Sequence, residues 1–103
     1  MHVSSSGDLL ADRRYEYARA YLEAEDAAAA VDLLLQTLER APGWLPALVG
    51  AADALAADGR PEEAEPLLRE AAKRDHDGLF GASLRLAALG FAKVPDAPPA
   101  AYV

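Results

Sequence analysis

Only two imidazoles, His2 and His76, and no thiol are available to this chain for acid–base, nucleophilic or metal chemistry. Without cysteine there is no thiolate nucleophile, zinc knuckle or disulfide framework. Asp75-His76-Asp77 sets three potential ligands side by side, but a metal site draws its ligands from spaced positions. A histidine just beyond a helix ordinarily complements the carbonyl end of the helix dipole. Ser83 can be paired with His76 and an aspartate on paper, yet nothing around it encodes the strained elbow that makes a serine a nucleophile. The expectation is a chain that is not an enzyme, with no catalytic, metal-binding or cofactor-binding residues.

Charge narrows the partners. The 103 residues include 17 acidic and 10 basic side chains, a net charge of −7. Nucleic acids and anionic membrane surfaces would repel such a chain, and its basic residues are interleaved with acids rather than gathered into a patch. The start, Met1-His2-Val3-Ser4-Ser5-Ser6-Gly7-Asp8, lacks the basic opening and apolar run of a secretory signal. No stretch approaches the roughly 20 apolar residues of a membrane span. The expected setting is the cytoplasm.

Any functional side chain here must be positioned by helix. About a quarter of the residues are alanine and β-branched residues are scarce, so the expected class is all-α. Residues 1–7 read as a flexible lead-in, with Ser6 or Asp8 available as a helix cap. From Leu9 to Ala24, helical spacing marks Leu10, Tyr17, Ala18, Tyr21 and Leu22 as the buried stripe, with Tyr17 and Tyr21 in the core. Glu25-Asp26 reads as a turn, and the next helix, 27–40, carries Ala30, Val31, Leu34, Leu35 and Leu38. Ala41-Pro42-Gly43 stops it. A third helix spans Trp44 to Asp58, and Gly59-Arg60-Pro61 leads into a fourth that ends near Arg74. Glu62 and Glu63 sit at the positive end of that helix, and Lys73 and Arg74 at its negative end. Pro66 falls inside it and reads as a tolerated kink, with a hinge as the sharper alternative. A fifth helix, Leu79–Leu89, is expected to bury Phe80, Leu84, Ala87 and Ala88. Residues 91–103, with Pro95, Pro98 and Pro99, read as a linker that leaves Phe91 and Tyr102 open for docking.

These elements repeat. Ala18, Tyr21, Ala30 and Leu34 recur 34 residues later as Ala52, Leu55, Ala64 and Leu68. That period, with small residues where paired helices approach and large ones beside them, resembles the tetratricopeptide repeat. The resemblance implies a right-handed α-solenoid fragment within residues 8–90: one helical hairpin at about 11–44, a second at about 45–78, and a capping helix at about 79–90. Pro42 stands where the family has a proline; the second repeat has His76 there instead, and the family's tryptophan-like position holds Arg14 and Leu48.

Such repeats present a concave groove lined by their first helices, so the resemblance implies non-catalytic protein binding. Carried over, the groove residues are Asp12, Tyr15, Arg19, Leu22 and Glu23, then Val49, Asp53, Ala56 and Ala57. Arg19 is the only cation among them, which argues against the lysine–asparagine carboxylate clamp of some family members. Tyr15 is a candidate for partner contact, and Trp44 is expected to pack on the preceding hairpin.

A longer resemblance covers Ala11-Asp12-Arg13-Arg14-Tyr15 through Ala41-Pro42-Gly43-Trp44, together with Leu84-Arg85-Leu86-Ala87-Ala88-Leu89-Gly90. It is similar to the amino-terminal repeat region of a bacterial family of class I S-adenosylmethionine-dependent methyltransferases. In that family the segment like Pro98-Pro99-Ala100-Ala101-Tyr102-Val103 leads into the catalytic domain. No glycine-rich turn for that cofactor occurs in this sequence. The resemblance therefore implies an accessory domain whose catalytic neighbour, a possible partner, is absent from the chain. A structural homodimer is the third reading, and it needs an apolar end face on the last helix.

Overall fold

Helix ends are where the local chemistry is most explicit. The computed structural model describes residues 5–92. It forms α1 (Leu9–Glu23), α2 (Ala27–Arg40), α3 (Leu45–Ala57), α4 (Pro61–Arg74) and α5 (Ala82–Ala88), with no strand among the described residues. The expectations for residues 1–4 and for the segment 93–103, Tyr102 included, lie outside the described residues. Asp8 accepts a hydrogen bond from the Ala11 N–H at 2.9 Å, and Asp26 one from the Ala29 N–H at 3.2 Å. Each satisfies a donor that the first helical turn leaves without a partner. α3 and α4 have proline in the opening turn, where a missing N–H removes no intrahelical bond. α4 continues through Pro66, and the carbonyl left without its donor is that of Glu62, an exposed residue one turn earlier.

The turns after α1 and α3 share one geometry, 34 residues apart. The Asp26 N–H donates to the Tyr21 carbonyl and the Arg60 N–H to the Leu55 carbonyl, both at 2.8 Å. The residue before each donor is left-handed: Glu25 at φ 61° and Gly59 at φ 77°. Only the second turn has the residue that takes this conformation without a Cβ clash. We therefore expect Glu25→Gly to raise the unfolding free energy by about 0.5–1 kcal/mol, seen as a higher denaturant midpoint at unchanged slope. An unchanged midpoint would mean that the glutamate side chain offsets the strain.

Packing follows chain order: α1 on α2, α2 on α3, α3 on α4, α4 on α5. α3 therefore has neighbours on both sides, and eight of its residues are buried against two in α1. A helix apolar all round is the sequence counterpart of that central place. Three of the four position pairs related by the 34-residue period share their burial, Tyr21 and Leu55 being the exception. Ala18 and Ala52, Ala30 and Ala64, and Leu34 and Leu68 are all removed from solvent and belong to one core cluster.

Three expectations about the core are corrected. Tyr17 is 62% exposed, and Tyr21 and Leu10 are also exposed, because α2 is the helix that packs against α1 among the described residues and it lies on the other side. Its inward face is Ala11 and Ala18, with Tyr15 and Leu22 partly covered. In α2 it is Thr37, not Leu35, that is buried; its hydroxyl donates to the Leu33 carbonyl at 2.8 Å, so no polar group is stranded. In α5, Ala82 and Leu86 are buried while Leu84 is 63% exposed, Phe80 and Ala88 are exposed and Ala87 is partly covered. That helix begins three residues later than its spacing predicts, after a left-handed Gly81. Phe91 is packed rather than free, partly covered by the core, with its N–H on the Leu86 carbonyl and its carbonyl accepting from Arg69.

Candidate functional site

The side of α1 that faces Trp44 borders a hollow of about 400 Å³. α1 contributes Tyr15, Arg19 and Leu22, α2 contributes Leu34, and α3 contributes Pro46, Val49, Gly50 and Asp53. Leu79 and Phe80 from the α4–α5 connection and Arg85 from α5 complete it. The Tyr15 ring meets Trp44 edge-on, with centroids 5.0 Å apart and planes at 63°, a favoured geometry for two aromatic quadrupoles. Burial raises the phenol pKa of Tyr15, so the group is a neutral hydrogen-bonding hydroxyl at physiological pH.

Depth comes from a missing side chain. A Cβ at Gly50 would lie 3.5 Å from Leu34 Cδ2 and 3.6 Å from Tyr15 Cε1, ordinary contact distances on the floor of the hollow. Gly50 sits inside α3, where glycine is less favourable than alanine by about 0.8–1 kcal/mol. Gly50→Ala is thus expected to raise the melting temperature by roughly 3–8 °C in a calorimetric scan. A lower melting temperature would mean that Leu34 and Tyr15 cannot admit a methyl group.

The polar groups are arranged by α5. Arg85 binds Asp53 through two hydrogen bonds, Nε to Oδ1 at 2.7 Å and Nη2 to Oδ2 at 3.0 Å. Its third arm, Nη1, donates to the Phe80 carbonyl at 2.6 Å, and the Phe80 N–H donates to the Asp75 carboxylate at 3.1 Å. Phe80 is thereby held beside the hollow at both its N–H and its carbonyl, within the connection 75–81. The Asp53 carboxylate raises the pKa of Arg85, as expected for a two-pronged guanidinium pair. Arg19, exposed at the rim, makes no ion pair or hydrogen bond among the described residues. A second cation beside Arg19, Arg85, lines the hollow, brought in by a helix read only as a cap.

Of the nine carried-over groove positions, Tyr15, Arg19, Leu22, Val49 and Asp53 line this hollow together. Glu23, Ala56 and Ala57 do not. Asp12 is elsewhere: its carboxylate accepts from the Ser5 and Ser6 hydroxyls and the Ser6 N–H, bonds that hold its pKa below the usual value. It borders a second, more open hollow with Arg13, Glu16 and Tyr17. Leu34, Pro46, Gly50, Leu79, Phe80 and Arg85 were not anticipated. A lone glycine inside a helical pattern was the available signal for Gly50.

A further hollow, about 290 Å³, adjoins the first and shares Pro46 and Phe80 with it. Ser5, Gly43, Trp44, Leu45 and Arg74 form the rest of its lining. The Arg74 guanidinium lies against Gly43, where a Cβ would come within 2.5 Å of Nη1, and its Nε donates to Glu70 at 2.8 Å.

His76 and Ser83 are exposed, and no group of three or more metal-ligating side chains occurs among the described residues. No described helix is long and apolar enough to cross a membrane. No family model, curated protein or solved structure matches this chain.

Proposed function

We propose that the chain is a non-catalytic protein-binding module of tetratricopeptide type, with the hollow between α1, α3 and α5 as its docking face. The observation that carries this reading is the convergence of Tyr15, Leu22, Val49, Phe80 and two guanidiniums, from segments far apart in sequence, on one open concavity of mixed apolar and polar lining. The equal burial of Ala18/Ala52, Ala30/Ala64 and Leu34/Leu68 supports the repeat assignment. The occupant is a segment of another protein or an adjacent domain, a class I methyltransferase domain among them. The test is panning of a displayed library of random peptides about twelve residues long, with Gly50→Leu as the control that fills the hollow. Peptides retained by the natural chain and lost by Gly50→Leu support the reading. Peptides retained equally by both overturn it.

A second reading, self-association, is favoured by a different observation. Leu9, Leu10, Tyr17 and Tyr21 are exposed on α1, and Leu79 and Leu84 at the opposite end of the helix order. An exposed apolar end face is what a homodimer would cover. Light scattering after size exclusion, over a concentration series, separates the two. A dimer that Tyr17→Glu dissociates supports association through α1, and a monomer at every concentration rules it out.

A further inference from the structure

We infer that the two adjoining hollows take an extended acidic segment with two apolar anchors, read by Arg19. This deepens the docking reading above and rests on it. Pro46 and Phe80 line both hollows, of about 400 and 290 Å³, so the two adjoin. An extended chain places alternate side chains on one face and can set one into each of two adjoining hollows. The segment therefore sets one apolar side chain against Tyr15, Leu34 and Val49, and a second against Trp44 and Leu45.

Charge decides what lies beside the anchors. The combined lining holds Arg19, Arg74 and Arg85 against a single carboxylate, Asp53, in a chain whose net charge is −7. Arg85 is held by Asp53 and Arg74 by Glu70. Of these three guanidiniums, Arg19, at the rim of the larger hollow, is the one with no ion pair or hydrogen bond among the described residues. A carboxylate next to the first anchor gains that guanidinium beside an apolar wall, where the pair is screened less than on an open surface. A basic segment would meet the like charge of Arg19 instead. Arg19 is thus the specificity-determining residue, and the apolar pockets supply the anchoring.

The peptide panning described above carries the test, with Arg19→Ala, Arg19→Lys and Gly50→Leu compared by isothermal titration against an enriched peptide. Expected are sequences with two apolar residues near an aspartate or glutamate. Affinity should fall about tenfold in Arg19→Ala, recover in part in Arg19→Lys, and weaken as salt is raised. Arg19 is exposed on α1, so its variants keep the helical circular dichroism of the natural chain. Neutral or basic enriched sequences, or an affinity unchanged by Arg19→Ala, overturn the acidic assignment. If Gly50→Leu still abolishes binding in that case, the docking reading stands alone. If no peptide is enriched, or Gly50→Leu binds as well as the natural chain, both fall.

Discussion

Truncating Leu34 to alanine is expected to lower the unfolding free energy by about 2–5 kcal/mol, whereas Tyr17→Ala should change it by less than about 1 kcal/mol. Tyrosine is the larger side chain, so the order runs against a ranking by size. It follows from place. Leu34 is 1% exposed and sits in the cluster with Ala51, Ala52 and Leu55 of α3, so removing three carbons leaves a cavity between α2 and α3. Tyr17 lies on the side of α1 that no described helix covers. In a domain of this size the Leu34 change should lower the melting temperature by roughly 10–40 °C. Equal losses from the two variants, measured by denaturant titration, would mean that α1 packs through Tyr17 and turns Tyr15 away from the hollow.

The second large effect is on binding. Gly50→Leu should reduce affinity for a groove ligand on the order of 10- to 100-fold while the helical circular dichroism is unchanged. The Cβ fits at ordinary contact distance from Leu34 and Tyr15, so only the carbons beyond it must project into the open 400 Å³. Helix propensity changes in the favourable direction, which separates this variant from one that simply unfolds. Gly50→Ala is the matched control, carrying the gain in propensity without filling the hollow. Undiminished affinity in Gly50→Leu would remove the hollow from the binding face.

The helical class and the ends of α2 were legible in the residues because each rests on local chemistry: alanine content, a capping aspartate, a proline-glycine stop. What was not legible depends on which side of a helix has a neighbour. Tyr17 and Tyr21 have the spacing of a core pair, but spacing cannot reveal that α1 is first in the packing order. Leu55, the 34-residue partner of Tyr21, is buried because α2 lies in front of α3. The inward face of α5 was in fact encoded: Ala82 and Leu86 fall 34 residues after the buried Leu48 and Ala52. Reading α5 by its own apolar residues chose Phe80 and Leu84 instead. Arg85 could not be anticipated in this way, because its partner position is Ala51, and only the length of the arginine side chain lets α5 reach Asp53. Asp12 shows the converse, a groove-like position drawn off by Ser5 and Ser6, whose hydroxyls are local competitors.

If the proposed reading holds, partners bind the hollow between α1, α3 and α5. Amide chemical-shift mapping of the ¹⁵N-labelled chain, titrated with an enriched peptide, tests it most directly. Shifts are expected to concentrate at Tyr15, Arg19, Leu22, Gly50, Asp53 and Phe80. Shifts concentrated instead on Tyr17 and Tyr21 of α1, or around Pro66 and Arg69 of α4, would contradict it.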